Sequence, residues 1–473
     1  MVSGPSLDPL NREAAPPEAW TPLLRFARLA ARPLERFLRI EAASGILLLL
    51  SAAIALALAN SPWAEAYQHF WHTQVGLRVG PFAVERSLEW LVNDGLMVIF
   101  FFVVGLEIRR EIDHGELSEW RRAILPVGAA LGGVVVPALL YLAVAGEPAT
   151  RSGWGVPMAT DIAFAVGILA LLGKRVPAAL RVLLLALAVI DDLAAIVVIA
   201  VFYSPGIEVY GLFAAWAGLT GVAAMQRFGI RSKLAYVPAG LVVWAGIYAA
   251  GIHPTIAGVL VGLMTPVRAW IGPEGLLSGV RRELETLTPA SLQALSPHEL
   301  NHALRHYDHL RREALSPAES LIELLHPWVA FAIMPLFALA NAGVAVSQQP
   351  LDPAMWTVMG AVGLGLVLGK PLGIGLAVAM MIKLGIGALP AGLTARHIMV
   401  LGVVAGVGFT MALFVAQLAF GDPRLLGAAK IGVLAGSGVA AVLALLLGRW
   451  LLAPIAQATA DLSADEAESS TEL

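Results

Sequence analysis

Asp191 and Asp192 stand side by side at the middle of the apolar run 179–203, in Ala188-Val189-Ile190-Asp191-Asp192-Leu193-Ala194. Each ionised residue at mid-bilayer costs at least about 2.5–3.5 kcal/mol on insertion scales, so the pair costs roughly 5–7 kcal/mol if both are charged. Such a pair is expected to exchange a proton near neutral pH. Adjacent helical residues diverge by about 100°, so one carboxylate can face an ion path while the other meets a neighbouring helix. A third acid, Asp161, follows Gly153-Trp154-Gly155-Val156-Pro157-Met158-Ala159-Thr160, a poor helix former, and precedes Ile162–Leu172, a good one. Thr160 or Asp161 can cap that second piece. The span is therefore expected to break near mid-membrane, where irregular backbone is tolerated only against a cavity or inside protein. Gly402-Val403-Val404-Ala405-Gly406-Val407-Gly408-Phe409-Thr410 repeats the device, with Gly406 and Gly408 in the break and Thr410 expected to cap Met411–Phe420. Lys370, in Leu366-Val367-Leu368-Gly369-Lys370-Pro371-Leu372-Gly373, has about twelve residues of span on each side.

These groups need a membrane-embedded scaffold, and the composition supplies one. Of 473 residues, 58% are hydrophobic and 14% charged, with a mean hydropathy of +0.77; a soluble chain carries about 25% charged residues. An ordinary cytosolic enzyme is excluded. The net charge of −3 and pI near 6.4 exclude a nucleic-acid partner. The absence of cysteine removes disulfides, thiolate metal sites and cysteine nucleophiles. No cofactor is called for, and hard oxygen ligands suit Na⁺ rather than a transition metal.

Twelve apolar stretches are long enough to mark as spans, near 43–60, 88–112, 123–144, 152–173, 179–203, 208–226, 233–250, 252–267, 325–342, 357–382, 395–420 and 425–451, with 233–267 readable as one hairpin or two short helices. They are too long and continuous for barrel strands. Taking alternate loops together, 25 of the 31 basic residues fall on one side and five on the other, with Lys370 left within a span. Both termini are therefore expected to be cytoplasmic. The organisation reads as a cytoplasmic tail 1–42, a membrane domain 43–452 and an acidic cytoplasmic tail 453–473. Within the domain, 61–87 reads as an external loop with a hairpin from Thr73–Arg78 and Phe82–Arg86, and 268–323 as an extended cytoplasmic loop. That loop holds His298, His302, His306 and His309. The first three share a helix face, which reads as a solvated amphipathic helix or as a metal or pH-sensing element.

On this topology the two broken spans run in opposite directions. Like helix ends then meet across the breaks, the positive pair balanced by Asp161 and the negative pair by Lys370. Broken helices arranged so are a transporter architecture.

The chain resembles the NhaA family of sodium/proton antiporters. The likeness is carried by Leu106-Glu107-Ile108-Arg109-Arg110-Glu111, Ala159-Thr160-Asp161-Ile162-Ala163-Phe164, Ile190-Asp191-Asp192, His326-Pro327-Trp328, Asn341-Ala342-Gly343-Val344, Gly369-Lys370-Pro371-Leu372-Gly373 and Gly406-Val407-Gly408-Phe409-Thr410-Met411, in order over roughly 40–452. It implies an all-α polytopic membrane protein of about 12 transmembrane helices in inverted-topology repeats, with two broken helices crossing near the midplane. It further implies a bacterial inner-membrane antiporter exporting Na⁺ or Li⁺ for more than one external proton, hence electrogenic and pH-regulated. By resemblance Asp192 is the main cation ligand, Asp191 the carboxylate associated with Lys370, and Thr160 and Asp161 belong to the broken-helix assembly. Glu107, Arg110 and Glu111 match a charged cluster linked to pH activation, and His253 a histidine linked to pH response. The family is commonly dimeric through a hairpin like that near 73–86. One departure lies before His326, where Glu319-Ser320-Leu321-Ile322-Glu323-Leu324-Leu325 keeps only the acids of a mixed charged cluster. Glu323 is the remaining pH-response candidate there, and 268–316 resembles an insertion.

Other classes fit less of the pattern. An intramembrane aspartyl protease with Asp161 and Asp191 as its dyad would call for glycine where Ile190 stands. A sodium symporter for an organic anion gives Lys370 no evident task beside paired carboxylates, and a channel gives none to protonatable acids.

Overall fold

A computed structural model describes residues 41–452 apart from 80–81, 205, 207, 231, 270–271, 273–277, 279–280, 282–314 and 346–351. The N-terminal tail up to residue 40, the acidic tail 453–473 and the four loop histidines His298, His302, His306 and His309 lie outside the described residues.

The chain opens with α1 (Glu41–Ala59) and α2 (Ala64–His72). The two meet at 114°. Two antiparallel strands follow, β1 (Gln74–Val79) and β2 (Phe82–Ser87), with Gln74 opposite Ser87 and Val79 opposite Phe82. The hairpin thus falls within a residue or so of its expected limits. The helix α2 corrects the reading of 61–87 as loop plus hairpin. Its Glu65, Gln68, His69 and His72 give it the composition of a loop, but Tyr67 and Trp71 recur at helical spacing and meet edge to face. Trp71 is buried, and the Tyr67 hydroxyl donates to the Leu339 carbonyl.

Then come α3 (Leu88–His114), α4 (Trp120–Val144), α5 (Pro148–Met158), α6 (Ile162–Leu172), α7 (Ala178–Phe202), α8 (Val209–Arg227), α9 (Tyr236–Ala249), α10 (Thr255–Met264), α11 (Pro317–Asn341), α12 (Pro353–Lys383), α13 (Ala395–Ala405), α14 (Phe409–Ala419) and α15 (Pro423–Leu451). Among the described residues seven helices are long and apolar enough to cross a membrane, or ten if each bent pair is one span. The stretch 233–267 resolves into two shorter apolar helices, α9 and α10. Large apolar side chains stay exposed on outer faces, as at Tyr210, Phe213 and Trp216 of α8. On a water-soluble protein such a surface would drive association; against lipid it is the expected face of a multi-pass membrane protein.

Backbone contact, rather than side-chain interdigitation, sets the helices that carry the charges. A Cβ on Gly132 of α4 would lie 2.3 Å from the Gly373 carbonyl oxygen of α12, and one on Gly373 would lie 2.1 Å from that of Gly132. Only glycine at both places lets α4 and α12 touch. Just before Lys370, α12 widens into a π turn over Gly365–Gly369, and Pro371, which has no N–H to donate, follows. Such one-turn bulges reorient the next side chain, and the Lys370 side chain that follows is completely buried.

Candidate ion site at the contact of two broken helices

The two breaks have different local causes. In α5 a short helical turn gives way to a 3₁₀ stretch over Ser152–Met158, and the backbone is extended at Ala159 and Asp161 before α6 begins. Glycines and Pro157 deny this segment a regular α-helix. Between α13 and α14 the break is narrower than expected. Gly402 to Ala405 are helical, and only Gly406 to Gly408 leave the helix. Gly402 is there for close approach, since a Cβ would lie 2.8 Å from the Pro371 Cα. The bends are 47° and 49°.

The breaks hold one another. Asp161 donates its backbone N–H to the Val407 carbonyl at 2.8 Å. Its Oδ1 accepts from the Phe164 N–H at 3.0 Å, capping α6. Its Oδ2 accepts from the Thr410 N–H at 3.2 Å and from the Thr410 hydroxyl. One carboxylate therefore serves the N-termini of both half-helices, where N–H groups lack partners and the dipole favours negative charge. Replacing a capping side chain costs about 0.5–2 kcal/mol at a single helix end. Thr410 corrects the expectation that it caps Met411–Phe420. The helix starts at Phe409 with Gly408 in the cap position, and Thr410 sits in the first turn, donating to Asp161.

Lys370 meets Asp191, as the resemblance implied, but does not touch the negative helix ends directly, as the crossing of the broken spans had suggested. Its Nζ lies 2.6 Å from Asp191 Oδ2 and donates to Thr160 Oγ1 at 2.8 Å. The Thr160 hydroxyl in turn donates to the Ala405 carbonyl at 2.9 Å, the last residue of α13. The ammonium thus meets the negative helix end through a threonine, because the nearer carboxylate of Asp191 is the stronger acceptor. Asp161, Asp191, Asp192 and Lys370 are each at most 2% exposed.

The neighbouring aspartates part company. Asp191 turns toward Lys370, whereas Asp192 and Asp161 line a cavity of about 800 Å³. Asp192 Oδ2 is buried without a hydrogen-bond partner, a condition that costs about 1–3 kcal/mol for an ordinary polar group. A proton or a hard cation relieves it. Glu107, Arg110, Glu111 and His326 line the same cavity. Glu323 is exposed on α11 and is not among its lining residues.

A second cavity, of about 250 Å³, is lined by Glu89, Asn93, Asp94, His253, Phe414 and Gln417 among others. His253 belongs here, apart from the aspartates. Its Nδ1 is 2.8 Å from Thr255 Oγ1 and its Nε2 3.5 Å from Asp94 Oδ1. Asn93 and Asn341 exchange amide hydrogen bonds at 2.7 and 3.4 Å. The buried Phe414 ring meets Phe101, Phe337 and His253 with centroids 5.4, 6.1 and 5.2 Å away. Asn93, Asp94 and Phe414 escaped the sequence reading. The first two gave a usable signal as polar residues just inside a span, but a phenylalanine in an apolar run gives none.

The sequence profile of the "Na+/H+ antiporter 1" family matches residues 35–447. The chain is 66% identical over 465 residues to the Na(+)/H(+) antiporter NhaA 2 of Myxococcus xanthus, covering 98% of this chain and 99% of that one. It is 57% identical to NhaA 2 of Sorangium cellulosum over 97% of this chain and 98% of that one. To NhaA 2 of Pseudomonas putida (strain KT2440) it is 51% identical, over 92% and 96%.

Proposed function

The chain belongs to the Na⁺/H⁺ antiporter 1 family, the NhaA antiporters, and we propose that it exchanges these ions by competition at Asp192. The family consists of secondary transporters, so the protease reading is set aside. Asp192 holds either a proton or a partly dehydrated Na⁺ or Li⁺, and Asp161 supplies a second hard oxygen at the same cavity. Both loaded forms neutralise the carboxylate, and a neutral site is less costly to carry across a low-dielectric barrier than a bare anion. The observation that supports this reading most is the unpartnered Asp192 oxygen, buried beside a cavity that also reaches Asp161.

The second proton of an electrogenic cycle is assigned to Lys370, whose pairing with Asp191 keeps both groups out of the cation's path. Glu107, Arg110 and Glu111 line the way to the site, and their charge state sets the local cation concentration and hence the pH response. His253 and Glu323 act, on this reading, at a distance from the exchange itself. The topology is twelve helices in two inverted repeats, with both termini in the cytoplasm of a bacterial inner membrane. The β1–β2 hairpin joins two copies into a homodimer.

Replacement Asp192→Asn is expected to abolish Na⁺- and Li⁺-induced dequenching of a pH dye in everted vesicles; near-normal transport would remove the site assignment. Proton flux in proteoliposomes that is stimulated by an imposed inside-negative potential marks electrogenic exchange, and flux indifferent to it refutes the stoichiometry. Measured across pH 6–9, a flat rate would refute the pH regulation.

A further inference from the structure

The start of α14 cannot stabilise itself. Gly408 has no side chain to cap it, and Phe409 has φ of 20°, the one non-glycine residue with positive φ among the described residues. A bulky side chain resists that conformation, which persists where the surroundings hold it. The Phe409 N–H is held from another helix, donating to Ser437 Oγ of α15 at 3.0 Å. Ser437 is 3% exposed. Its place follows from the glycines beside it. A Cβ on Gly432 would lie 2.8 Å from the Met359 carbonyl oxygen, and one on Gly436 would lie 3.1 Å from the Gly363 Cα. Here α15 touches the backbone of α12, and one residue on, Ser437 meets the break.

The consequence runs through consecutive residues. With the Phe409 N–H fixed by Ser437, the next residue presents its N–H and hydroxyl to Asp161 Oδ2. The Phe409 ring also packs on Phe164, 5.7 Å between centroids, and the Phe164 N–H holds the other oxygen of Asp161. We propose that Ser437 is a positioning residue for the ion site, its hydroxyl holding the α14 turn so that Thr410 orients the Asp161 carboxylate toward the cavity. This rests on the reading of Asp161 and Asp192 as the cation site. Ser437 itself touches no ion in this scheme. Without the hydroxyl, a buried N–H loses its acceptor, the turn relaxes and Asp161 is presented differently.

The test is transport kinetics with Na⁺ and Li⁺ for Ser437→Ala, Ser437→Cys and Ser437→Thr. Loss of one such hydrogen bond predicts an apparent KM about three- to tenfold higher in the alanine variant. The Na⁺ and Li⁺ values rise unequally, because a displaced carboxylate fits ions of different radius differently. Threonine keeps the hydroxyl and stays within about twofold of the parent. Cysteine, of similar size but a weak acceptor, rises with alanine and covers the case in which alanine does not fold. Unchanged KM values and an unchanged Na⁺/Li⁺ ratio in the folded alanine or cysteine variant would overturn the proposal, even if turnover or melting temperature fell. Should Asp192→Asn transport normally, the site reading itself fails; a dead Asp192→Asn beside a parent-like Ser437→Cys sinks only the positioning role.

Discussion

The two cavities share two helices and differ in what those helices offer. Along α3, Glu89, Asn93 and Asp94 line the smaller cavity and Phe100 through Glu111 the larger. Along α14, Met411 lines the larger, and Phe414 and Gln417 the smaller. The larger cavity reaches a carboxylate oxygen that has no partner, at Asp192. In the smaller, Asn93 is bonded to Asn341, Glu89 to Gln417, and His253 to Thr255. Phe414, which lines the smaller cavity, meets Phe101 and Phe337 and forms an aromatic wall with them. The smaller also holds an unpartnered buried oxygen, Gln417 Oε1, but on a neutral amide; the larger cavity thus offers a bare carboxylate oxygen, and the smaller an amide beside an aromatic wall. A transporter that opens to one side at a time needs this asymmetry.

The comparison is open to attack at several points. The largest effect is expected from Lys370→Ala, which strands Asp191 as a buried, uncompensated charge behind the larger cavity. Breaking such a pair costs about 3–5 kcal/mol, so the melting temperature in detergent should fall along with turnover. An unchanged melting temperature would mean that Asp191 is no more isolated from water than Asp192.

Phe414→Ala removes the centre of the aromatic wall, at a cost of about 3–5 kcal/mol by the usual large-to-small scale. The chain has no cysteine, so a single cysteine at Met411 reports directly on access. Its modification by a reagent supplied from the smaller-cavity side should accelerate in the alanine background, and equal rates would place the seal elsewhere.

The smallest change is expected for Asn341→Ala, which leaves the Asn93 amide short of a partner at about 1–3 kcal/mol. Stability should fall with little change in the KM for Na⁺; a large KM change would tie the smaller cavity to ion binding.

Much of the site was legible because its cost is local. An acid pair at Asp191 and Asp192, a lysine at 370, and glycine-rich interruptions before Ile162 and Phe409 each violate what lipid tolerates within a few residues of chain. The paired strands after Thr73 were equally readable from their turn. Less was legible where a residue behaves ordinarily for its type. The helix Ala64–His72 has loop-like polarity, Gly402 looks like a break but serves a contact, and Ser437 is one small residue in a glycine-rich span.

By itself the amino-acid order determined that this chain crosses a membrane, that charges sit inside it and that two spans break, because hydrophobicity, helix propensity and the penalty for buried charge are properties of short segments. Which group each charge meets was decided by tertiary structure alone: Lys370 bonded to Thr160 rather than to helix-end carbonyls, Asp161 capping two helices at once, Asp192 left to the cavity. Those partners lie as far as 249 residues apart, and hydrogen bonds form between groups that glycine-lined helix contacts bring within about 3 Å, a distance that no local pattern encodes.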